Sequence, residues 1–269
     1  MLSINDLKKD TEKKIYYINT NCDLAQSFGV YHNELELELL PYASAVNISC
    51  AAHSGDPLTI RNALLYAKNY NVEIGAHIGY PDIQGFGYRT MDLNEEEMEA
   101  LVLFQIGAIS SLAKAYGLKV THVRPHGALY VKAVNDFQTM LSMAKAIAKT
   151  DKWLVLLACE CPNLRKAAEL AGIKCAGEVF LDKKYKIDGT PDFEAKDIVD
   201  IDYSVKVLEN LLENQSVVNE EGGLTKVKFE SIHLNMKNEI SLDIAQTVKN
   251  KLERPVPLAL SIMEDKSWI

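Results

Sequence analysis

The sequence lacks the features that would place it in several large protein classes. Its five cysteines, Cys22, Cys50, Cys159, Cys161 and Cys175, are odd in number and have no paired C-x-x-C spacing. A disulfide framework or structural zinc knot is therefore not expected, and all five thiols, the close pair around Glu160 included, are read as reduced. No stripe of Lys and Arg with interleaved aromatics occurs, and 29 Lys+Arg stand against 37 Asp+Glu for a net charge of −8, so a nucleic-acid partner is not expected. The longest apolar stretches, such as Trp153 to Cys159, fall far short of the roughly 20 residues of a membrane-spanning helix. The polar, Lys-rich segment from Met1 to Lys14 has no apolar secretory core, and the expectation is a cytoplasmic protein with no membrane partner. Neither a G-x-x-x-x-G-K-[ST] loop nor a G-x-G-x-x-G turn is present, so any nucleotide must be held another way. Linkers rich in Pro, Gly or Ser, low-complexity tracts and internal repeats are also missing. That leaves one domain, divided into a polar extension over 1–14, a barrel over 15–260 and a tail over 261–269.

What is present is an ordinary core-forming composition, 48% hydrophobic and 25% charged, in a chain of 269 residues. Short β-branched or apolar runs alternate with longer helical patterns, the signature of a parallel sheet built from βα units. Seven strands are predicted, at Ile15–Thr20, Ala45–Ser49, Val72–Ala76, Val120–Val123, Leu154–Ala158, Lys174–Gly177 and Ser231–Leu234. Asp56-Pro57 reads as an N-cap followed by a first-turn proline, and Asn94 with Glu97 as a capping box opening a long helix that ends at Gly117. Further helices are predicted at Asn135–Lys149, Pro162–Ala171, Asp202–Asn214 and Ser241–Leu252. Glu34 to Leu40 suits a strand or a short helix equally, and periodicity does not arbitrate. The stretch from Asp182 to Asp202 reads as a functional lid or mobile loop.

The polar residues fall at the C-terminal ends of the predicted strands. Asn21 and Asp23 follow the first, His53 and Asp56 the second, and His77 with Asp82 the third. Arg124 and His126 follow the fourth, Glu178 and Asp182 the sixth, and His233 with Asn235 end the seventh. In a seven-stranded, distorted parallel βα barrel those ends converge on one mouth, where such barrels place their active sites. A structural reading competes at single positions, since Asp56 is explained by its cap and a lone histidine is often only hydrogen-bonded. The coincidence at six of seven strand ends is what points to a site. Asp23, His77, Arg124, His126, Glu178 and Asp182 are the candidate catalytic residues. His53, His77 and His126, with Asp23 nearby, also have the ligand chemistry of a divalent metal that activates water for amide hydrolysis. The same set equally suits metal-free acid–base work, with Asp23 or Glu178 as base and an imidazole as acid or oxyanion stabiliser.

At these residues the sequence resembles the LamB/YcsF family. The likeness is carried by Asn21-Cys22-Asp23-Leu24, by Ala45 through Pro57, by Ile74 through Asp82, by His122-Val123-Arg124-Pro125-His126-Gly127-Ala128-Leu129-Tyr130 and by Glu178-Val179-Phe180-Leu181-Asp182, and it continues through Phe104 to Ala108. The resemblance implies a distorted seven-stranded βα barrel acting as the A subunit of a bacterial 5-oxoprolinase, which opens a lactam to glutamate. It also implies ATP with Mg as co-substrate and B and C subunits as partners, while homo-oligomerisation stays open. Among its departures from the family pattern, Asn19 and Gln26 stand where it has carboxylates, Arg124 where it has Lys, and Asn235 where it has Asp, and the Pro-Arg that normally follows Asp188-Gly189 is absent. Amides keep shape while removing charge, so these changes are expected to act on metal or proton handling more than on folding. Two alternatives therefore accompany the oxoprolinase reading. One is a divergent hydrolase of another lactam, amide or acetylated sugar; the other is a catalytically silent paralogue that binds a small ligand or a partner.

Overall fold

In the computed structural model, which describes residues 16–30, 34–252 and 255–263, polar and apolar side chains alternate along the strands. Parallel strands β1 (Asn19–Leu24), β2 (Ala45–Ser49), β3 (Glu73–Ile78), β4 (Val120–Pro125), β5 (Val155–Cys159) and β6 (Lys174–Phe180) lie side by side in that order. After a separate antiparallel hairpin, β7 (Ser216–Val218) with β8 (Leu224–Lys226), strand β9 (Ser231–His233) slots between β6 and β1. Ser231 is in register with both Asn19 and Glu178, so a strand of three residues closes the ring. The result is the single-domain α/β barrel of seven parallel strands that the βα alternation predicts.

Alternation explains the layering. Cys22, Leu24, Val46, Ile48, Ile74, Ala76 and Val123 belong to the main apolar core, which the outer helices cover. The intervening residues Asn21, Asn47, His122 and Ser231 are fully buried and hydrogen-bonded to one another or to neighbours in the same layer. Gly75 is required there, because a side chain on it would overlap the His122 ring. At the other end of the barrel, Val155, Leu157 and Ala176 form a small separate cluster with Leu258. Leu258 opens a short C-terminal helix over Leu258–Ser261, and its amide donates to Glu73 Oε2 at 2.7 Å.

The first strand starts later than its apolar run suggests. The predicted start, Ile15, lies outside the described residues, as does the extension over 1–14. The strand is instead carried by Asn19-Thr20-Asn21, whose polar side chains find partners inside the barrel and lose nothing by burial. Asn21 and Asp23 consequently lie on the strand, not beyond it.

Helices α1 (Pro57–Tyr70) and α2 (Glu95–Ala115) begin at the expected caps. The Asp56 side chain accepts from Leu58 and Thr59, and Asn94 with Glu97 forms a complete capping box. Helix α2 is long and apolar enough to cross a membrane by length and composition, but its face of Met98, Val102, Ile106 and Ile109 is buried in the barrel core. Helix α3 (Gly127–Asn135) is not among the predicted helices, since Pro125-His126-Gly127 reads as a turn. The turn is real, with Gly127 at φ 53° pressed against the Gly87 carbonyl, and the helix starts directly from it. Helices α4 (Phe137–Thr150), α5 (Pro162–Ala171), α6 (Ile201–Asn214) and α7 (Glu239–Leu252) follow the predicted order. The ambiguous Glu34 segment is a 3₁₀ helix over Glu34–Tyr42.

Candidate active site

The C-terminal ends of the strands meet as expected, around Arg124 of β4. Its Nε donates to Glu178 Oε1 at 2.8 Å and Oε2 at 3.1 Å, while Nη1 reaches Asp23 Oδ1 at 3.2 Å. One guanidinium therefore ties β4 to β6 and β1. Two more donors, Tyr130 OH at 2.7 Å and Asn21 Nδ2 at 3.1 Å, saturate the Glu178 carboxylate. Tyr130 OH in turn accepts from the Cys159 amide at 2.5 Å.

The two carboxylates have different surroundings. Glu178 has no exposed side-chain surface and sits behind Arg124, whereas the Asp23 side chain is 16% exposed and lines the cleft. Either is a candidate base from sequence; of the two, Asp23 lines the cleft and Glu178 lies buried behind Arg124. Burial alone would raise the Asp23 carboxyl, but the adjacent Arg124 guanidinium is the largest opposing influence, and the group is held well below its ordinary range.

Backbone carbonyls fix the states of the histidines. A carbonyl oxygen only accepts, so His77 Nδ1, 3.2 Å from Arg124 O, carries a proton, and so does His126 Nε2, 2.8 Å from Phe86 O. His77 Nε2 lies 3.3 Å from Asp23 Oδ2, and His126 Nδ1 lies 3.1 Å from that same His77 nitrogen. His233 Nδ1 donates to Asn21 Oδ1 at 2.9 Å, leaving Nε2 turned toward Asp23 Oδ2 at 3.9 Å. Desolvation, reinforced by the neighbouring charge of Arg124, pushes His233 well below its ordinary pKa, and burial together with His77 pushes His126 down to about 3. His53 is held down as well, by burial and then by the adjacent imidazoles.

The cleft above these groups has a volume of ≈ 990 Å³. Phe86, Tyr88 and Phe193 give it aromatic walls, and Lys183 and Lys237 stand at its rim. Both ammonium groups share the single carboxylate of Asp197, at 2.5 and 3.1 Å. The segment after β6, read from sequence as a lid or mobile loop, is a pinned wall. Buried Tyr185 bonds both the amide and the carbonyl of Phe180, and Phe193 packs edge-on against Tyr130 and Phe180.

Not every strand-end residue joins the site. Asp182 turns aside: its Oδ2 accepts from Asn235 at 2.9 Å, and it borders a separate cavity of ≈ 20 Å³. Asp82 is bound by Arg89 and the Gly85 amide and organises its own loop, and Asp56 is the cap of α1. The four single-residue departures also separate. Gln26 and Asn235 line the cleft and Arg124 centres it, but Asn19 lies at the opposite end of β1, where its Nδ2 donates to Ser44 Oγ and Val256 O. The expectation that Asn19 acts on site chemistry is therefore corrected: it ties the C-terminal segment to the barrel floor.

Tyr130, Asn47, His122 and Gln105 lie in the stretches that carry the family resemblance but receive no site role from sequence. Gln105 emerges from the apolar face of α2, and its carboxamide pairs with both the N–H and the C=O of Gly79 at 2.9 Å, holding the loop after β3. A glutamine at a core-facing position of an apolar helix was the available signal.

The LamB/YcsF family model matches residues 18–260. The chain belongs to the LamB/YcsF family. It is 38% identical to the 5-oxoprolinase A subunit of Geobacillus thermodenitrificans, over 88% of this chain and 93% of that one. It is 35% identical to the 5-oxoprolinase A subunit of Bacillus subtilis, over 94% of this chain and all of that one. Among solved structures it superposes on the lactam utilization protein of Thermus thermophilus with a TM-score of 0.81 at 33% identity, covering 88% of this chain and 96% of that one. The LamB/YcsF segment thus spans the whole barrel, from just before β1 through most of the C-terminal plug.

Proposed function

We propose that this chain is the A subunit of an ATP-dependent 5-oxoprolinase, a cyclic-amide hydrolase that opens 5-oxoproline to glutamate together with B and C subunits. The observation that carries the reading is the ionised, cleft-facing Asp23, held by Arg124 and flanked by neutral His126 and His233, in a chain collinear with proteins named for that activity. Opening the lactam requires a water oxygen to add to the carbonyl carbon, the C–N bond to break, and a proton to reach the departing nitrogen. Asp23 is placed to orient the water, and the free Nε2 of His233, 3.9 Å away, is placed to take its proton and later return it to nitrogen. Arg124 keeps Asp23 charged, and Tyr130 and Asn21 keep Glu178 in position behind it. The Lys183 and Lys237 ammonium groups at the rim fit an anionic group, either the substrate carboxylate or a phosphate of ATP with Mg. When bound, ATP supplies the activation that an unstrained lactam carbonyl lacks.

The silent-paralogue reading draws no support from this geometry, because the carboxylate, guanidinium and imidazoles of the mouth are in mutual contact and one of the amide departures lies elsewhere. The test is glutamate and phosphate release from 5-oxoproline and ATP by the chain mixed with B and C subunits. Turnover is expected only with all components, and Asp23→Asn should lower kcat about 10²-fold or more. No product in any combination would refute the proposal.

A further inference from the structure

We propose that His53, His77 and His126 bind a divalent transition-metal ion, of the zinc type, at the mouth of the barrel. All three histidines are buried, and one ring nitrogen from each lies within 4.8 Å of the others. The hydrogen bonds decide which nitrogens are available. His77 spends its Nδ1 proton on Arg124 O and His126 spends its Nε2 proton on Phe86 O. With both imidazoles neutral, their remaining nitrogens, two lone pairs, face each other at 3.1 Å. Two bare imidazole nitrogens at that distance repel unless a cation lies between or beside them. Bond lengths of 2.0–2.1 Å to a tetrahedral ion place two nitrogen ligands about 3.3 Å apart, close to the separation found.

Three further observations point to the same occupant. Metal-binding histidines characteristically give their outer N–H to a backbone carbonyl, which fixes the tautomer, and both His77 and His126 do so. Among the described residues, His53 Nδ1 is buried with no hydrogen-bond partner, while its Nε2 is held by Ser49 Oγ at 3.2 Å. An orphaned ring nitrogen beside two inward-facing lone pairs is accounted for by a ligand. Asp23 Oδ2, 3.3 Å from His77 Nε2, adds negative charge at the same point. Glycines make the cluster possible: a Cβ on Gly79 would come within 2.5 Å of His53 Nδ1, and one on Gly87 within 2.8 Å of the His126 ring.

The three ligands are not equivalent. His77 and His126 stand at 83° to each other, but His53 stacks on His126 with 8° between the planes and 3.9 Å between centroids. A stacked ring cannot aim its lone pair into its neighbour's plane, so His77 and His126 set the ion's position and His53, as it stands, is the weaker third ligand. His77 and His126 should therefore matter more than His53.

The experiment measures metal and not turnover, so its failure leaves the oxoprolinase reading standing, and the reverse. The full-length chain, with any affinity tag removed, is analysed for bound metal as purified. After chelation and dialysis it is titrated with Zn²⁺, Mn²⁺ and Co²⁺ by calorimetry, with Co²⁺ also followed by its visible d–d absorption. About one equivalent per chain is expected. His77→Gln and His126→Gln, chosen to keep volume and polarity, should each weaken binding by at least the 10–100-fold typical of outer-shell changes, and His53→Gln by less. Circular dichroism identifies any variant that fails to fold, and for such a position the Asn variant replaces it. A wild-type chain that is metal-free and binds none of the three ions at millimolar concentration overturns the proposal, and a shared proton then fills the gap between His77 and His126. Wild-type binding left unchanged by both His77→Gln and His126→Gln also overturns it.

Discussion

Glu36 provides a sharp test of how the loop after β1 is held. Its carboxylate accepts from the Gln26 amide at 3.0 Å and from the Ala25 amide, and Ala25 sits at φ 63° so that both N–H groups point the same way. The nest lies just beyond Asp23, so Glu36 shapes the loop at the mouth. Burial is the dominant influence on this group; the two amides oppose it, Asp23 adds to it, and the carboxyl rises from its ordinary 4.5 to about 7. An acid with a raised folded-state pKa binds its proton more tightly in the folded chain. Its contribution is therefore intact below the unfolded value near 4.5 and is lost as pH rises through about 7. At 1.36 kcal/mol per pH unit, that interval corresponds to roughly 3 kcal/mol of stability lost between pH 4.5 and 8. Glu36→Gln keeps the shape and an acceptor oxygen but cannot ionise. Denaturant unfolding of both proteins at several pH values should show curves that lie close together near pH 5 and diverge above it. At pH 8 the variant should be more stable by up to about 3 kcal/mol, or about 6–12 °C in Tm for a chain of this size. Parallel curves across that range would refute the reasoning, whatever their constant offset.

Three other substitutions probe the polar interior. Tyr130→Phe removes a donor to Glu178 and leaves the buried Cys159 amide without its acceptor, so a loss of about 1–3 kcal/mol in denaturant unfolding is expected, together with lower turnover in the reconstituted enzyme. Asn19→Asp removes the donors to Ser44 Oγ and Val256 O in a fully buried site; thermal melts should show a loss of about 2 kcal/mol or more, with KM for 5-oxoproline unchanged. Gly75→Ala drives a methyl group into the His122 ring and breaks its 2.9 Å bond to Asn47; a cost of about 1–3 kcal/mol is expected, and a stability equal to wild type would show that the interior yields more easily than its packing implies.

The barrel was legible because βα alternation and helix caps are local signals. Asp56 and Asn94 announced α1 and α2 through their own neighbours, and the structure uses both caps as read. The mouth was legible because strand ends of a parallel barrel share a direction, so Asp23, His77, Arg124, His126 and Glu178 converge once the strands are placed. What escaped depends on side-chain direction across the barrel. Helix α3 was hidden by a turn motif that proves to be its own start, and the site role of Tyr130 on that helix was hidden with it. Asp182 was included because it lies four residues beyond Glu178, yet its side chain leaves the cleft to meet Asn235. Spacing along a chain does not report such a turn.

The same limit governs how departures from a family pattern are understood. Taken together as lost carboxylates, Asn19, Gln26 and Asn235 suggest a site losing charge. In three dimensions they perform different tasks. Asn19 needs its amide hydrogens, because Val256 O only accepts and a carboxylate would meet it with repulsion. Asn235 gives its amide to Asp182, a carboxylate whose pKa burial and nearby Asp197 already raise; an Asp at 235 would place two acids against each other. Gln26 reaches Asp23 Oδ2 at 3.5 Å, and a Glu in its place would bring a third carboxylate to a mouth where the single charge of Arg124 already serves both Asp23 and Glu178. Each amide therefore fits the charges around it as they stand in this chain. Replacing one residue at a time by the family's choice should accordingly destabilise this protein, and a gain of activity, if the pattern is adjustable at all, requires the neighbouring acceptors or carboxylates to change in the same step.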